Sequence, residues 1–245
     1  CVILASLAAA RMEGSLFAQA YRVDLFSQVV KVLLAMGLFL IVCLCGDPGG
    51  IPENRQAELY MLLFVCTLAM MLLASAVHLI SIYVALELSS YSLYVLVALR
   101  RPRPAAVSTA LGFFLVGVVS SAVMLFGLAQ LYGATGAAYL DDLARLLPEA
   151  VDQPLVQVGL LFTLCGFFFK LAVFPFHVWA ADTYQGAAHQ VTAYIATASK
   201  IAAIAILVRV TAAGGGSPYL FDCLVILSVL SMTVRNLAAI VQQDL

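Results

Sequence analysis

Three charged side chains fall well inside long apolar runs: Glu87, Lys170 and Lys200. A charge near the centre of a bilayer costs at least ~2.5–3.5 kcal/mol on the insertion scale, so one that persists there has a reason to. Two of the three lysines therefore sit at intramembrane depth. An acid and two bases can hold and release protons without any cofactor. Tyr83, Ser90, Tyr91 and Tyr94 lie one or two turns from Glu87 and share its helical face, which predicts a polar stripe directed into a bundle rather than at lipid. Thr192, Ala196, Ser199 and Ala203 flank Lys200 on one face, where small residues permit close helix approach and leave room for water. A static clamp would pair Glu87 with one lysine and leave the other charged in a dry interior. A buried lysine without a partner gives up its proton readily, because burial penalises the charged form. A carboxylate beside one lysine, with a second lysine farther on, is the layout of a proton relay.

Pro175 follows Lys170 by five residues. Proline removes a backbone donor and clashes with the preceding turn, so the helix carrying Lys170 is expected to kink or break near it. Broken spans persist at membrane depth where protein or water satisfies the freed carbonyls, often at ion-handling sites. His177 comes next and is suited to exchanging protons where the broken helix meets water. His78 and His189 read as interfacial hydrogen-bonding residues, and Asp182 as a capping or loop residue. The chain carries no P-loop, no H-E-x-x-H and no G-x-G-x-x-G.

The elements that must position these groups follow from composition. Of 245 residues, 64% are hydrophobic and 10% charged, with a mean hydropathy of +1.07. Soluble domains run near half apolar and a quarter charged. A soluble enzyme, a nucleic-acid binder and a disulfide-stapled secreted domain are thereby excluded. Net charge is −1, so no excess of either sign points to nucleic acid. Spanning a bilayer as a helix takes ~20 apolar residues, and seven stretches qualify: 24–45, 58–76, 79–99, 105–132, 155–176, 191–212 and 219–242. Residues 1–10 read as the tail of an earlier, partial span. Breakers at 46–50, 101–104 and 214–218 punctuate the runs. Continuous apolar runs without alternation disfavour a membrane β-barrel. The expected fold is all-α and polytopic, a single bundle over residues 1–245. The chain begins at Cys1 inside an apolar run, without a methionine, and so reads as a segment of a longer subunit with no visible signal peptide. Arg100, Arg101 and Arg103 place their loop on the cytoplasmic side, and the acidic loop 133–154 on the other, with Arg11 and Arg22 opposing that bias. The six cysteines lack paired metal-site spacing and read as small buried hydrophobes.

Several segments resemble the antiporter-like subunits of respiratory complex I (NADH:quinone oxidoreductase), those of the N branch (subunit 2 homologues) in particular. Glu87-Leu-Ser-Ser-Tyr-Ser-Leu-Tyr-Val-Leu-Val-Ala-Leu99 resembles their glutamate-bearing fifth helix. Gly166-Phe-Phe-Phe-Lys-Leu-Ala-Val-Phe-Pro-Phe-His-Val-Trp179 is similar to their broken seventh helix. Asp182-Thr-Tyr-Gln-Gly186 and Val191-Thr-Ala-Tyr-Ile-Ala-Thr-Ala-Ser-Lys-Ile-Ala202 resemble the following loop and eighth helix. The resemblance implies a fourteen-helix fold with inverted five-helix repeats, of which this chain would hold the first repeat. It implies a proton-translocating role for Glu87, Lys170 and Lys200. It implies flavin and iron–sulfur clusters in partner subunits and none in this chain, quinone as the substrate of the whole complex, and neighbouring membrane-arm subunits as partners. A lysine common in the family's sixth helix is Gly112 here. Prolines usual before the eighth helix are replaced by Ala181, Ala188 and Gln190. Two other readings stand beside the relay: a Mrp-type cation/proton antiporter subunit, against which the Asp182–Gly186 stretch counts, and a non-pumping structural anchor. The alanine- and arginine-rich composition points to a bacterial plasma membrane ahead of a mitochondrial inner membrane.

Overall fold

The computed structural model describes residues 2–9, 12–45, 51–100, 104–213 and 218–241. Within them, seven helices are long and apolar enough to cross a membrane, one in each of the seven predicted stretches. A short helix α1 (Val2–Ala8) leads into a hairpin of β1 (Gly14–Leu16) and β2 (Tyr21–Val23), paired antiparallel with Ser15 opposite Arg22. The spans are α2 (Leu25–Leu44), α3 (Gln56–Ser75, preceded by a 3-10 turn at Glu53–Arg55), α4 (Leu79–Ala98) and α5 (Pro104–Thr135). After α6 (Leu140–Ala150) come α7 (Pro154–Leu171), the short α8 (Val178–Gly186), α9 (His189–Ala196) with α10 (Ala198–Ala213), and α11 (Pro218–Val241).

Local chemistry sets where these helices begin. Asp24 accepts from the Ser27 amide at 2.8 Å while the Ser27 hydroxyl lies 3.1 Å from the Asp24 amide, a reciprocal cap on α2. The His78 imidazole accepts from the Ile80 amide and starts α4. Pro154, with no amide to lose, opens α7.

Packing in lipid rests on close approach rather than on hydrophobic drive, because lipid tails are as apolar as leucine. The closest approach is that of α5 to α7. A Cβ on Gly127 would lie 2.4 Å from the Thr163 backbone nitrogen and 2.7 Å from the Gly159 carbonyl, so the two backbones touch. The outer faces carry exposed apolar side chains such as Phe64, Leu115, Val119 and Phe126, as lipid contact requires. The interior formed by α3, α4, α7 and α9–α10 is lined with polar groups: Thr67, Glu87, Ser89, Ser90, Thr163, Lys170 and Ser199 are all buried. By contrast, α11 is almost entirely unburied, with Ser231 accepting a hydrogen bond from the Phe174 amide at 3.0 Å.

Two segments differ from the sequence reading. The acidic loop 133–154 contains the amphipathic helix α6, which buries Leu140, Leu143 and Leu147 and turns Asp141, Asp142 and Arg145 outward. Its leucines recur at helical spacing, a signal masked by the charges. Strand pairing is present after all, in the hairpin outside the spans, where Arg22 pairs with Asp141 of α6. Cys1, Arg101, Arg103 and the breakers at 46–50 and 214–217 lie outside the described residues.

Candidate functional site

Glu87, Ser89 and Ser90 sit within one turn in the middle of α4, and all three are buried. Each serine hydroxyl donates back to the Leu86 carbonyl, at 2.7 Å for Ser89 and 2.9 Å for Ser90. That leaves their lone pairs free to accept. The Lys170 ammonium, 3% exposed near the end of α7, donates to Ser89 Oγ at 2.9 Å and Ser90 Oγ at 3.0 Å. The clamp considered from sequence is therefore not formed: Glu87 and Lys170 act on each other through space without a salt bridge. The Glu87 carboxylate instead faces the hydroxyls of Ser121 on α5 and Tyr91. Lys170 thus rests on neutral acceptors, with a carboxylate within electrostatic range.

The expected break occurs, three residues earlier than the proline. Ala172 adopts a left-handed conformation (φ 55°) and ends α7. The Val173 amide bonds the Phe168 carbonyl at 2.8 Å and the Ala172 amide bonds the Phe169 carbonyl at 2.9 Å, the double bond of a Schellman turn. Pro175 enforces this stop, since in a continued helix its ring would clash with the Leu171 carbonyl and leave it without a donor. Two carbonyls of this last turn also accept from side chains. Trp179 of α8 donates its indole N–H to Phe169 O at 3.0 Å, and Lys200 of α10 donates to Lys170 O at 3.2 Å. The Lys200 ammonium also lies 5.4 Å from the centre of the Trp179 ring. The partial negative charge of a helix C-terminus favours cations, so the broken end suits the Lys200 ammonium, while the Lys170 ammonium reaches across to the α4 serines.

The α9–α10 span is also interrupted, at Thr197 (φ −114°, ψ −77°), one turn before Lys200. This turn rotates the helix, and the four small residues expected on one face divide: Ser199 and Ala203 are buried, Ala196 is exposed. On α4 the predicted stripe holds for Glu87, Ser90 and Tyr94, whereas Tyr91 is 49% exposed at the rim. Tyr94 fits because Gly117 leaves space; a Cβ there would lie 1.8 Å from the Tyr94 hydroxyl. His177 stands at the start of α8 with a buried Nδ1 that has no hydrogen-bond partner. Asp182 is an exposed residue inside α8 rather than a loop or capping residue. His78 caps α4 and packs edge-on against Tyr139, and His189 is exposed at the start of α9. Gly112 faces open space on the exposed side of α5.

Sequence reasoning passed over three further intramembrane cations. Lys31 in α2 is buried with its ammonium 4.8 Å from the Tyr21 ring centre. Arg209 in α10 donates to both oxygens of Asp24 at 2.6 and 2.9 Å and to the Ala74 carbonyl at 3.0 Å, tying the ends of α2, α3 and α10 together. Burial opposes the Asp24 charge, but hydrogen bonds from Arg209 and Ser27 outweigh it and hold the carboxyl below its ordinary value. Arg235 in α11 acts electrostatically on Lys200. A buried polar group also extends behind Lys170: Cys66 faces the Ser89 carbonyl at 3.4 Å, and the Tyr194 and Thr67 hydroxyls bond each other. The signal for all of these was available, since each is a polar residue inside an apolar run.

Known proteins resemble this chain in sequence and in fold. A family model described as "NADH:quinone oxidoreductase/Mrp antiporter, TM" matches residues 75–245. NADH-quinone oxidoreductase subunit N 2 of Syntrophobacter fumaroxidans is 64% identical across 99% of this chain and 52% of its own length. In the solved respiratory complex I of Thermus thermophilus, one chain matches with a TM-score of 0.84 and 36% identity, over 99% of this chain and 51% of that one. A chain of the Mrp complex from Dietzia shares the fold at a TM-score of 0.72 and 22% identity, over 90% of this chain and 44% of that one. The chain spans about half the length of the relatives it matches. With seven spans of its own and a profile match over most of its length, it is a multi-pass membrane protein that belongs to the NADH:quinone oxidoreductase/Mrp antiporter transmembrane family.

Proposed function

We propose that this chain is part of a proton-translocating membrane subunit of a complex I-type NADH:quinone oxidoreductase in a bacterial plasma membrane. The observation that carries the reading is that Lys170, at the end of the broken helix, and Lys200, bonded to the Lys170 carbonyl, both rest on neutral acceptors, with Glu87 in electrostatic range of the first. The Glu87 carboxylate attracts the Lys170 ammonium through space. When that influence weakens, the proton leaves Lys170 for Lys200 through water at the break, and no covalent chemistry takes place. His177, at the mouth of the break, is the group suited to exchange with the aqueous side. Electron transfer from NADH to quinone, with its flavin and iron–sulfur clusters, belongs on this reading to other subunits, and the neighbours of this chain are further membrane-arm subunits.

The much higher identity to oxidoreductase subunits than to the Mrp chain favours this reading over sodium exchange. The test is proton translocation per electron in membranes carrying Glu87→Gln or Lys170→Ala. The expected result is a large loss with assembly retained, since a positioned proton-transfer group contributes roughly a hundredfold or more. Full pumping with normal quinone reduction would overturn the relay and leave the structural anchor.

A further inference from the structure

Trp179 is the one tryptophan of the chain. It is 5% exposed and stacks on Phe113 of α5 with ring centres 4.5 Å apart, while Phe169 of α7 lies at 5.3 Å. Two of its contacts are polar and point to different partners. Its N–H donates at 3.0 Å to the Phe169 carbonyl, which also accepts from the Ala172 amide in the turn that ends α7. Its ring faces the Lys200 ammonium at 5.4 Å, within the range at which a cation is attracted to an aromatic face. The same ammonium donates to the Lys170 carbonyl, the next residue along the broken end.

The carbonyls explain why these contacts belong together. The last turn of any helix leaves carbonyls without intrahelical donors, and inside a membrane those groups need other partners. The Schellman turn supplies donors to Phe168 and Phe169. Lys170 O is met by the lysine side chain, whose hold depends on its charge: a neutral amine keeps a weak donor but loses its attraction to the ring. We propose that Trp179 is a positioning residue that couples the protonation of Lys200 to the broken end of α7, holding the helix end with its N–H and the protonated lysine with its ring. This rests on the relay reading above and adds to it the element that senses which lysine carries the proton. With Lys200 charged, the ring, the ammonium and the Lys170 carbonyl form one closed set. With Lys200 neutral, the set opens and the α7 end is free to accept water.

The test uses the intact protein in its membrane, with Trp179 as its own reporter. A point charge beside an indole shifts its emission, so the emission from Trp179, isolated by subtracting the spectrum of Trp179→Phe, is followed against pH. Other chargeable groups surround this pair: Lys170 on α7, Arg235 on α11, and His177 and Tyr184 on α8. Lys200→Met separates their contribution. The expected result is an emission shift that titrates in the unmodified protein and is flat in Lys200→Met. In parallel, Trp179→Leu lowers proton translocation per electron about tenfold, whereas Trp179→Phe, which keeps a ring face, retains most of it. An emission that ignores pH, or titrates equally in Lys200→Met, overturns the coupling even where Lys200→Met abolishes pumping. Full pumping by Lys200→Met overturns the relay reading and this inference with it. Because the optical measurement keeps Trp179 in place, it decides the matter even if Trp179→Leu fails to assemble.

Discussion

Two kinds of intramembrane cation occur within this bundle, and they are treated differently. Arg209 is met by both oxygens of Asp24, by a backbone carbonyl and by the face of Phe26 at 5.0 Å. Lys170 and Lys200 have hydroxyls, a carbonyl and an aromatic ring, and no carboxylate in contact. Guanidinium stays charged at any accessible pH and matches a carboxylate in a planar fork, which suits a fixed joint. An ammonium held by neutral dipoles is stabilised without being trapped, because no counter-charge must be abandoned when the proton leaves. The contrast teaches that the partner, more than the depth, separates a structural charge from a mobile one. Lys31, leaning on Tyr21 near the outer end of α2, resembles the second kind in its partner, but its stem is long enough to reach the interface.

The largest test of that contrast is Arg209→Ala. It leaves Asp24 partly buried without its partner, and removing one member of a buried pair costs ~3 kcal/mol or more. Since the Asp24 side chain is 28% exposed, the loss should fall at the lower end, read as a reduced unfolding midpoint of the solubilised protein. A loss of pumping with unchanged stability would make Arg209 a mobile charge rather than a fixed joint. A smaller effect is expected at the helix break. Ala172 holds a left-handed conformation that costs an L-residue roughly 1–2 kcal/mol and glycine little. Ala172→Gly should therefore stabilise the protein by about 1 kcal/mol, measured in the same unfolding experiment, and leave the acceptors at 168–170 in place. A destabilised Ala172→Gly would mean that the break is not held by this turn. The smallest effect at neutral pH concerns acid. The Asp24 carboxyl sits below its ordinary value of 3.8, so its stabilisation is complete above that pH and is lost as pH falls through the lower folded value. Asp24→Asn should flatten this acid limb of the stability curve while the lysine site is unaffected.

The legibility of the molecule from its sequence was uneven for physical reasons. The spans were plain, because the bilayer demands about twenty apolar residues in a row and the chain supplies them. The helix α6 was missed because its apolar stripe is three leucines among charges, too short to stand out against the long spans around it. The break is expected near Pro175 and forms there, at Ala172, since proline forbids the bond a full turn behind it rather than at its own position. The turn at Thr197 had no proline or glycine to announce it. Glu87, Lys170 and Lys200 are legible as charges in apolar runs, whereas nothing in the spacing of Trp179 marks its contact with Lys200.

From the residues alone it follows that this chain lives in a membrane as helices, where its seven spans run, and that Glu87, Lys170 and Lys200 lie at depth. Each of these is a local property, set by the cost of exposing backbone or charge to hydrocarbon. Folding sets Lys170 on serines instead of Glu87, binds Arg209 to Asp24, and brings Lys200 to Trp179 at the broken end of α7. Those pairings join residues from helices distant in sequence, and their geometry depends on how closely glycine-lined backbones pack and where a helix stops. A bond about three ångströms long is not written in any one segment; it exists only once several segments have settled against each other.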